Sequence, residues 1–272
     1  MPKISIITVC RNEEFGIAKT AESIIHQTWQ NFEWIVIDGA STDGTLDKLK
    51  PYAGRIERLV SEPDSGIYNA MNKGIRLARG EYLIFMNGGD AFHHSEVLQE
   101  VFGHGQQHAD ILYGNQVFHM ANGDEYLVKT PTKIASPLYF THSLIYHQAS
   151  FVKKGLFYRF GMYDETLKVA ADLKSWIIFA LNKCSFKHLD IVISIFNLKG
   201  ISAQHLEQVK EETNQIHSMY FHSDELYHNH SCFLDVSYRL LGFVPILKVK
   251  KRPCVSRFLL FNCIPFCYKS IK

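Results

Sequence analysis

A single carboxylate follows one strongly apolar stretch of the chain. In YLIFMNGGDAF, residues 82–92, mostly apolar residues run from Tyr82 to Met86, and Asn87, Gly88, Gly89 and Asp90 come next. Such a run is typical of a buried strand that leads into a turn. Asp90 is therefore either a turn-forming residue, as Asn, Gly and Asp often are, or a functional carboxylate at the edge of a sheet.

Other predicted strands also end in polar or acidic groups. KISIITV is followed by Arg11, Asn12 and Glu13, FEWIVID ends in Asp38, and RIERLVS is followed by Glu62 and Asp64. A sheet needs turn residues at these places, but it does not need a carboxylate near three successive strand ends. Clustered carboxylates repel each other unless a cation or hydrogen-bond donors offset their charge. This convergence predicts a site.

The elements that carry these groups alternate between strand and helix. Helical spacing is present in EFGIAKTAESIIHQT, DGTLDKLKPY and SGIYNAMNKGIRLARG, and Gly80 is predicted to end the last of these helices. EYLIFM is the fourth strand. The alternation predicts an α/β fold with βαβ units and a mainly parallel sheet flanked by helices. Ligands of such sheets bind outside the carboxyl ends of the strands, where these polar groups would meet.

Composition and missing motifs narrow the function classes. The 272 residues are 46% hydrophobic and carry a formal charge of only +2, which suits one sizeable core and argues against a nucleic-acid partner. No apolar run approaches the ~20 residues that span a bilayer, and the start lacks a signal-peptide pattern. Six cysteines without metal spacing are expected to be reduced thiols of a cytoplasmic protein. VCRNEEFG lacks the glycines of a dinucleotide-binding turn, and no P-loop motif occurs.

Four segments together resemble glycosyltransferase family 2. They are ISIITVCRNE, WIVIDGASTDGT, SEPDSGIYNAMNKGIRLARGEYLIFMNGGD and YDETLKVAADLKSW. The resemblance is dense over residues 3–92, extends to about residue 203, and is greatest to the bacterial branch that builds colanic acid, O-antigen and capsular polysaccharides. It implies a Rossmann-like GT-A domain over residues 1–203, with a nucleotide-sugar half at about 1–92 and an acceptor half at about 93–203. A helical C-terminal extension, residues 204–272, is expected to follow.

The resemblance also implies a nucleotide-sugar site at the strand ends. The residues implied to line the nucleoside pocket are Thr8, Cys10, Asn12 and Glu13. Asp38 is implied to bind the base, and a carboxylate can accept hydrogen bonds from either uracil or guanine. The remaining implied donor-binding positions are Asp64, Asn72, Lys73, Asn87, Gly88 and Gly89. For Asn72 and Lys73, a solvated helix face is the open alternative.

A metal is implied at the end of the fourth strand. Family members carry a DxD-type motif there, whereas NGGD leaves Asp90 as the acid that would bind Mn²⁺ or Mg²⁺. One or two protein carboxylates suffice in such sites, because diphosphate oxygens and waters complete the octahedron. His205 is a second implied metal ligand. The two glycines are expected to let the backbone approach the sugar diphosphate.

The catalytic base is implied in YDETLKVAADLKSW. Family members carry an acid pair whose second member is the base, and this chain has Ala171 followed by Asp172. From the residues alone, Asp172 could equally be the N-cap of the helix that follows. His147 and Gln148 in YHQASF are implied to line the sugar or acceptor pocket, and a buried strand over residues 143–151 is the alternative.

The composition changes at the end of the chain. Residues 243–272 carry seven lysines or arginines, no acid and several aromatic residues, a pattern that predicts contact with an anionic membrane surface; packing on the catalytic domain is the alternative.

The predicted protein is a metal-dependent, inverting hexosyltransferase on the inner face of the cytoplasmic membrane. Its donor would be a nucleotide diphosphate sugar, UDP favoured and GDP possible, and its acceptor a lipid-linked oligosaccharide. A sugar-nucleotidyltransferase and a non-catalytic nucleotide-sugar-binding protein are the alternatives.

Overall fold

The structure is a computed structural model that describes residues 2–120, 123–197 and 205–222. The basic tail over residues 243–272, for which membrane contact is predicted, lies outside these ranges. Among the helices within them, none combines the length and the apolar character needed to cross a membrane.

One mixed sheet organises the described chain. Its strands are β1 (Ile4–Cys10), β2 (Phe32–Asp38), β3 (Arg58–Ser61), β4 (Tyr82–Phe85), β5 (Ala91–Phe92), β6 (Ile111–His119), β7 (Glu125–Val128), β8 (Ser150–Lys153) and β9 (Phe186–Asn197). They lie in the order β3-β2-β1-β4-β8-β6-β9-β5, and β7 pairs with β6. The first four are parallel, as predicted, and β8 joins β4 and β6 in antiparallel register.

Helices cover both faces of this sheet. They are α1 (Ile17–Ile25), α2 (Thr45–Leu49), α3 (Ile67–Leu77), α4 (Val97–Phe102), α5 (Lys154–Phe160), α6 (Ala171–Leu181) and α7 (Leu206–Tyr220). Short 3-10 helices occupy Lys50–Arg55, Pro137–Thr141 and His147–Ala149. The predicted α/β architecture is thereby confirmed.

The central strand β1 separates two hydrophobic cores. Ile4 and Ile6 pack with Trp34 in the core that contains α1, whereas Ile7 and Val9 face the core that contains α3. Alternate residues of a strand point to opposite faces, so both sets are buried. Each fully buried aliphatic side chain contributes roughly 1.5–3 kcal/mol. The packing fixes the carboxyl ends of β1 to β4 as one edge.

Two local predictions need correction. Helix α3 ends at Leu77, before the predicted stop at Gly80. Gly80 is instead a close-packing position, because a Cβ there would lie 2.4 Å from the Ser5 backbone nitrogen. Residues 143–151 do not form one strand: a 3-10 helix, His147–Ala149, precedes β8.

The first part of the predicted extension is built into the α3-side core. Ile216 and Phe221 are buried there, and Nε2 of the buried His217 lies 2.9 Å from the Phe140 carbonyl oxygen. Helix α7 therefore packs on the same body as the sheet.

Candidate active site

The loops after β1 and β2 are tied together at the carboxyl edge of the sheet. Asn12 has a left-handed φ of 53°; its backbone N–H donates to Ser41 Oγ over 2.8 Å, and its Oδ1 accepts from the Thr42 backbone over 2.9 Å. The Glu13 backbone N–H donates to Thr45 Oγ1 over 2.7 Å. These bonds make one surface of the two loops, and Asn12 is exposed on it.

Asp38 ends β2, but its carboxylate is fully buried and already bonded. It accepts from the Ser41 backbone N–H over 3.0 Å, from the Ser61 hydroxyl over 2.6 Å and from the Ser41 hydroxyl. Cys10 Sγ lies 3.8 Å from Asp38, and burial together with the Asp38 charge raises the pKa of Cys10 well above its usual range. Asp38 thus shapes the turn after β2, and its contact with a nucleobase stays a prediction.

Thr8 and Cys10 belong to the interior of the sheet. Thr8 has no exposed surface, and its Oγ1 accepts from Trp34 Nε1 over 3.0 Å. Cys10 is also buried. Of the four residues predicted to line the nucleoside pocket, the structure leaves Asn12 and Glu13 as the accessible ones.

Asp64 and Lys73 lie near the ends of β2 and β3. A Cβ on Gly39 would lie 2.4 Å from Asp64 Oδ2, so this carboxylate packs against the turn after β2. Lys73 Nζ lies 2.8 Å from the Glu62 carboxylate and donates to the Pro63 carbonyl over 3.0 Å. Lys73 is therefore an ion-paired, partly buried residue.

Asn72 joins α3 to the loop before α6. Its Nδ2 donates to the Tyr163 carbonyl over 2.9 Å and to Glu165 Oε1 over 2.8 Å, and its Oδ1 accepts from the Tyr163 backbone over 3.0 Å. It is 1% exposed, so the solvated-face alternative does not hold for Asn72.

The turn that carries Asp90 packs on the loop after β1. Gly89 has a φ of +92°, and a Cβ there would lie 3.1 Å from Glu13 Oε1. A Cβ on Gly88 would lie 2.8 Å from Glu13 Cγ and 3.0 Å from Cys10 Cβ. The two glycines thus make room for Glu13 and Cys10. That a sugar diphosphate approaches the backbone of the glycines stays a prediction.

Asp90 is held in a buried environment. Its Oδ1 accepts from the Asn197 backbone N–H over 3.2 Å, and the Gln148 side chain also hydrogen-bonds to it. Burial raises the pKa of Asp90 to about 7, although these bonds and the nearby His147 act in the opposite direction. A bound cation would favour the ionised carboxylate.

His147 connects this turn to α6. Its Nδ1 lies 3.2 Å from Asp172 Oδ2, and its Nε2 lies 3.3 Å from Asn87 Nδ2. The side chains of His147 and Asp172 are each 15% exposed. In the neutral tautomer whose Nε2 accepts from the Asn87 amide, Nδ1 carries the ring proton and can donate it to Asp172.

Asp172 is the second residue of α6 and not its N-cap. Ala170 occupies the cap position, and Asp172 Oδ1 accepts from the adjacent Leu173 backbone N–H over 2.8 Å. The N-cap alternative is therefore excluded. Asp172 thus presents a partly exposed carboxylate next to His147.

Two contributors escape the sequence analysis. Asn197 ends β9 and bonds to Asp90, while Glu212 in α7 bonds to the backbone of the loop before α6. Asn197 is 107 residues from Asp90, and Glu212 is 42 residues from its partner Ala170. No local motif marks either residue, so spacing could not reveal them.

Asn87 and Asp90 offer oxygen atoms that suit a divalent cation. Asn87 Oδ1 is buried and, within the described part of the chain, has no hydrogen-bond partner. Mg²⁺ and Mn²⁺ prefer such oxygen ligands, so the turn fits a cation that takes its other ligands from diphosphate and water. His205 lies exposed at the N-cap of α7. In residues 2–120, 123–197 and 205–222, no group of three or more His, Cys, Asp or Glu is arranged as metal ligands.

Comparison with known proteins identifies the family. Residues 5–166 match the family model Glycosyl transferase family 2. The chain belongs to this family. A PGL/p-HBAD biosynthesis glycosyltransferase of Mycobacterium tuberculosis is 31% identical over 208 residues, which cover 73% of this glycosyltransferase and 78% of the relative. A glycosyltransferase of Rickettsia prowazekii, itself uncharacterized, is 24% identical over 222 residues, 77% and 69% of the respective chains.

Solved structures share the fold of this glycosyltransferase. TarS 1–349 of Staphylococcus aureus aligns with a TM-score of 0.62 at 21% identity, covering 89% of this chain and 75% of TarS 1–349. The mannosyltransferase PcManGT of Pyrobaculum calidifontis, in complex with GDP-Man and Mn²⁺, aligns with a TM-score of 0.60 at 16% identity, covering 90% and 76%. The GT-A-like fold is thereby confirmed.

Proposed function

We propose that this family 2 glycosyltransferase transfers a hexose-type sugar from a nucleotide diphosphate donor to a hydroxyl of a lipid-linked sugar acceptor, with inversion at the anomeric carbon. The observation that carries the proposal is the hydrogen-bonded chain from Asn87 through His147 to Asp172. It joins a partly exposed carboxylate to the turn that holds Asp90. A base and a diphosphate-binding turn must be adjacent for one displacement to occur.

In the proposed reaction, Asp172 removes the proton of the acceptor hydroxyl. The acceptor oxygen forms a bond to the anomeric carbon while the bond from that carbon to the diphosphate oxygen breaks, and the electron pair leaves with the diphosphate. Such general-base assistance contributes roughly 10²–10⁴-fold. His147 donates its Nδ1 proton to Asp172 and so fixes the direction of the carboxylate.

Asp90 and Asn87 Oδ1 are the groups that would hold Mn²⁺ or Mg²⁺. When bound, the cation offsets negative charge on the leaving diphosphate. Asp90 is oriented for this by the Asn197 backbone and by Gln148. His205, exposed at the start of α7, is the weaker candidate. Among the described residues, no group of potential metal ligands contains both His205 and Asp90.

The donor is proposed to lie against the joined loops after β1, β2 and β3, with Asn12, Glu13 and Asp64 at its edges and Asp38 fixing the turn. Neighbours of the same fold were solved with UDP-GlcNAc in TarS and with GDP-Man in PcManGT, which supports a nucleotide diphosphate sugar of either base. The surface-polysaccharide pathway, the lipid-linked acceptor and the peripheral membrane location through residues 243–272 rest on the resemblance and on the basic tail.

A donor panel tests the proposal. Full-length protein is incubated with UDP- and GDP-sugars and Mn²⁺, with and without a lipid-linked sugar acceptor, and released nucleotides are identified. We expect nucleoside diphosphate from one donor, more of it with acceptor, and an inverted product. A parallel incubation with nucleoside triphosphate and sugar 1-phosphate tests the first alternative, because pyrophosphate released there as a nucleotide sugar forms would support a nucleotidyltransferase. Nucleotide binding without release from any donor would support a binding protein.

A further inference from the structure

Helix α7 reaches the loop that precedes the candidate base, although it lies outside the stretch that matches the family. The carboxylate of Glu212 accepts three successive backbone N–H groups: Lys168 over 2.8 Å, and Val169 and Ala170 over 3.0 Å each. Glu212 is 4% exposed. Successive amides that converge on one anion form a compact, directional binding arrangement.

The charge of Glu212 is compensated by hydrogen bonds. Gln208 Nε2 donates to Oε1 over 2.9 Å, and no lysine or arginine within the described ranges forms an ion pair with Glu212. A buried carboxylate without a cation is stable only when donors and dipoles replace its water. Here the three amides and the positive end of α6 supply that compensation.

Helix α6 has no capping side chain of its own. Its N-cap residue is Ala170, which cannot accept a hydrogen bond through its side chain, and Asp172 follows two residues later. The position of Asp172 relative to His147 therefore depends on how the loop over residues 168–170 is held.

Helix α7 is itself anchored firmly enough to hold that loop. His217 contacts the Phe140 carbonyl oxygen, and Ile216 and Phe221 are buried in the core. A carboxylate carried by such a helix has a fixed position. The loop before α6 is thus fastened to the interior of the protein through Glu212.

We propose that Glu212 is a positioning residue for the catalytic base. It touches neither donor nor acceptor in this role; it holds the loop over residues 168–170 so that Asp172 stays aligned with His147. The inference rests on the proposed function, in which Asp172 is the base.

The test compares Glu212→Gln with Glu211→Gln in the full-length protein. The control removes the same charge from an exposed neighbour on the same helix. We expect Glu212→Gln to lower kcat by between about tenfold and a hundredfold, because small misplacements of reacting groups have effects of that size. KM for the donor and nucleotide affinity should stay near wild type, and Glu211→Gln should match wild type throughout. Equal losses in both variants, or a loss confined to KM, would overturn the proposal.

A double-mutant cycle separates positioning from general damage. If Glu212 acts through Asp172, then Asp172→Asn combined with Glu212→Gln should have the turnover of Asp172→Asn alone. If the loss of turnover in the double variant is instead the product of the losses in the two single variants, the proposal is contradicted. Wild-type turnover in Asp172→Asn would instead remove the proposed base, which is a failure of the proposed function.

A milder change covers the case in which Glu212→Gln does not fold. Glu212→Asp keeps the charge and withdraws the carboxylate by one methylene group. It should lower kcat at an unchanged donor KM. Wild-type kcat in Glu212→Asp would overturn the proposal.

Discussion

Three acids of the candidate site have distinct surroundings. Asp38 is fully buried and accepts hydrogen bonds from two serines. Burial raises the pKa of Asp90 to about 7. The carboxylate of Asp172 contacts a backbone N–H through one oxygen and His147 through the other. Surroundings of this kind decide whether a carboxylate shapes a turn, binds a cation or takes a proton. Asp38 therefore shapes the turn after β2 and its contact with a nucleobase stays a prediction, whereas two experiments test the other acids.

Asp172→Asn should separate binding from turnover. The amide retains the shape of the side chain and the acceptor for Leu173, so the melting temperature and nucleotide affinity should stay near wild type. The amide cannot take up the proton of the acceptor hydroxyl, so kcat should fall by at least about 10²-fold. Turnover assays, calorimetry and thermal melts check this, with Asp190→Asn as an exposed control. Normal turnover would show that Asp172 is not the base.

Asp90→Asn should abolish Mn²⁺-dependent nucleotide binding. The variant keeps the shape of a buried side chain but loses the charged ligand, and the metal contribution that it removes is several kcal/mol. Isothermal titration with UDP or GDP, with and without Mn²⁺, measures the effect. Asp47→Asn is the control, because the Asp47 side chain is 73% exposed. If Asp90→Asn keeps more than about a tenth of wild-type activity, Asp90 is a turn residue only.

At the scale of elements, the loop between α5 and α6 is held from three sides. Asn72 of α3 bonds to Tyr163, Lys174 of α6 pairs with Asp164, and Glu212 of α7 binds the last three residues of the loop. Each contact comes from a different helix. The start of α6 is therefore positioned by its neighbours more than by its own sequence.

Asp164→Asn should destabilise the protein in a pH-dependent way. Burial acts to raise the pKa of Asp164, but hydrogen bonds from Lys174 and Thr166 outweigh it and lower the pKa to about 2. A lowered pKa stabilises the fold above the ordinary value of 3.8, and this contribution is lost as the pH falls from 4 towards 2.

The loss in unfolding free energy at pH 7 should be about 1 kcal/mol, because solvent screens a pair at the surface. Urea unfolding of wild type and Asp164→Asn at pH 7 and pH 3 measures it, with Asp190→Asn as the control. A difference that is the same at both pH values would contradict the ionic origin of the effect.

At the scale of the whole molecule, the described start of the C-terminal extension and the sheet share one core. Ile216 is 1% exposed and packs in the cluster that also contains residues of β1, α3 and α6. The unfolding of α7 should therefore be coupled to the unfolding of the sheet and the helices that flank it.

Ile216→Ala should lower the stability of the entire body. The loss should be about 2–5 kcal/mol, as for other large-to-small changes in cores, and unfolding should remain one transition. Met219→Ala on the same helix is the control, since Met219 is 56% exposed and its change should stay within about 0.5 kcal/mol. A separate low-temperature transition in Ile216→Ala, with the main transition unchanged, would show that α7 unfolds independently.

The sequence by itself determined the first half of the fold and pointed to a candidate site at the strand ends. Apolar runs such as ISIITV, the stripe around Met71 and acids at successive strand ends are local patterns, and local patterns encode which face is buried and where a strand ends. They suffice for parallel strands, for helices on both faces and for Asp90 as a candidate, whereas Asp172 became a candidate through the family resemblance, because its local pattern fits an N-cap equally well. The family resemblance, confirmed by the comparison, added their implied roles.

Only the tertiary structure decided which of these groups meet. Asp38 is saturated by Ser41 and Ser61, and His147 lies against a carboxylate 25 residues away. Glu212 binds a loop more than 40 residues before it. Hydrogen-bond partners so far apart in the chain are set by the packing of whole elements, which periodicity does not encode. For the same physical reason, the antiparallel entry of β8 and the use of Gly80 as a close-packing position emerge only when the strands are assembled.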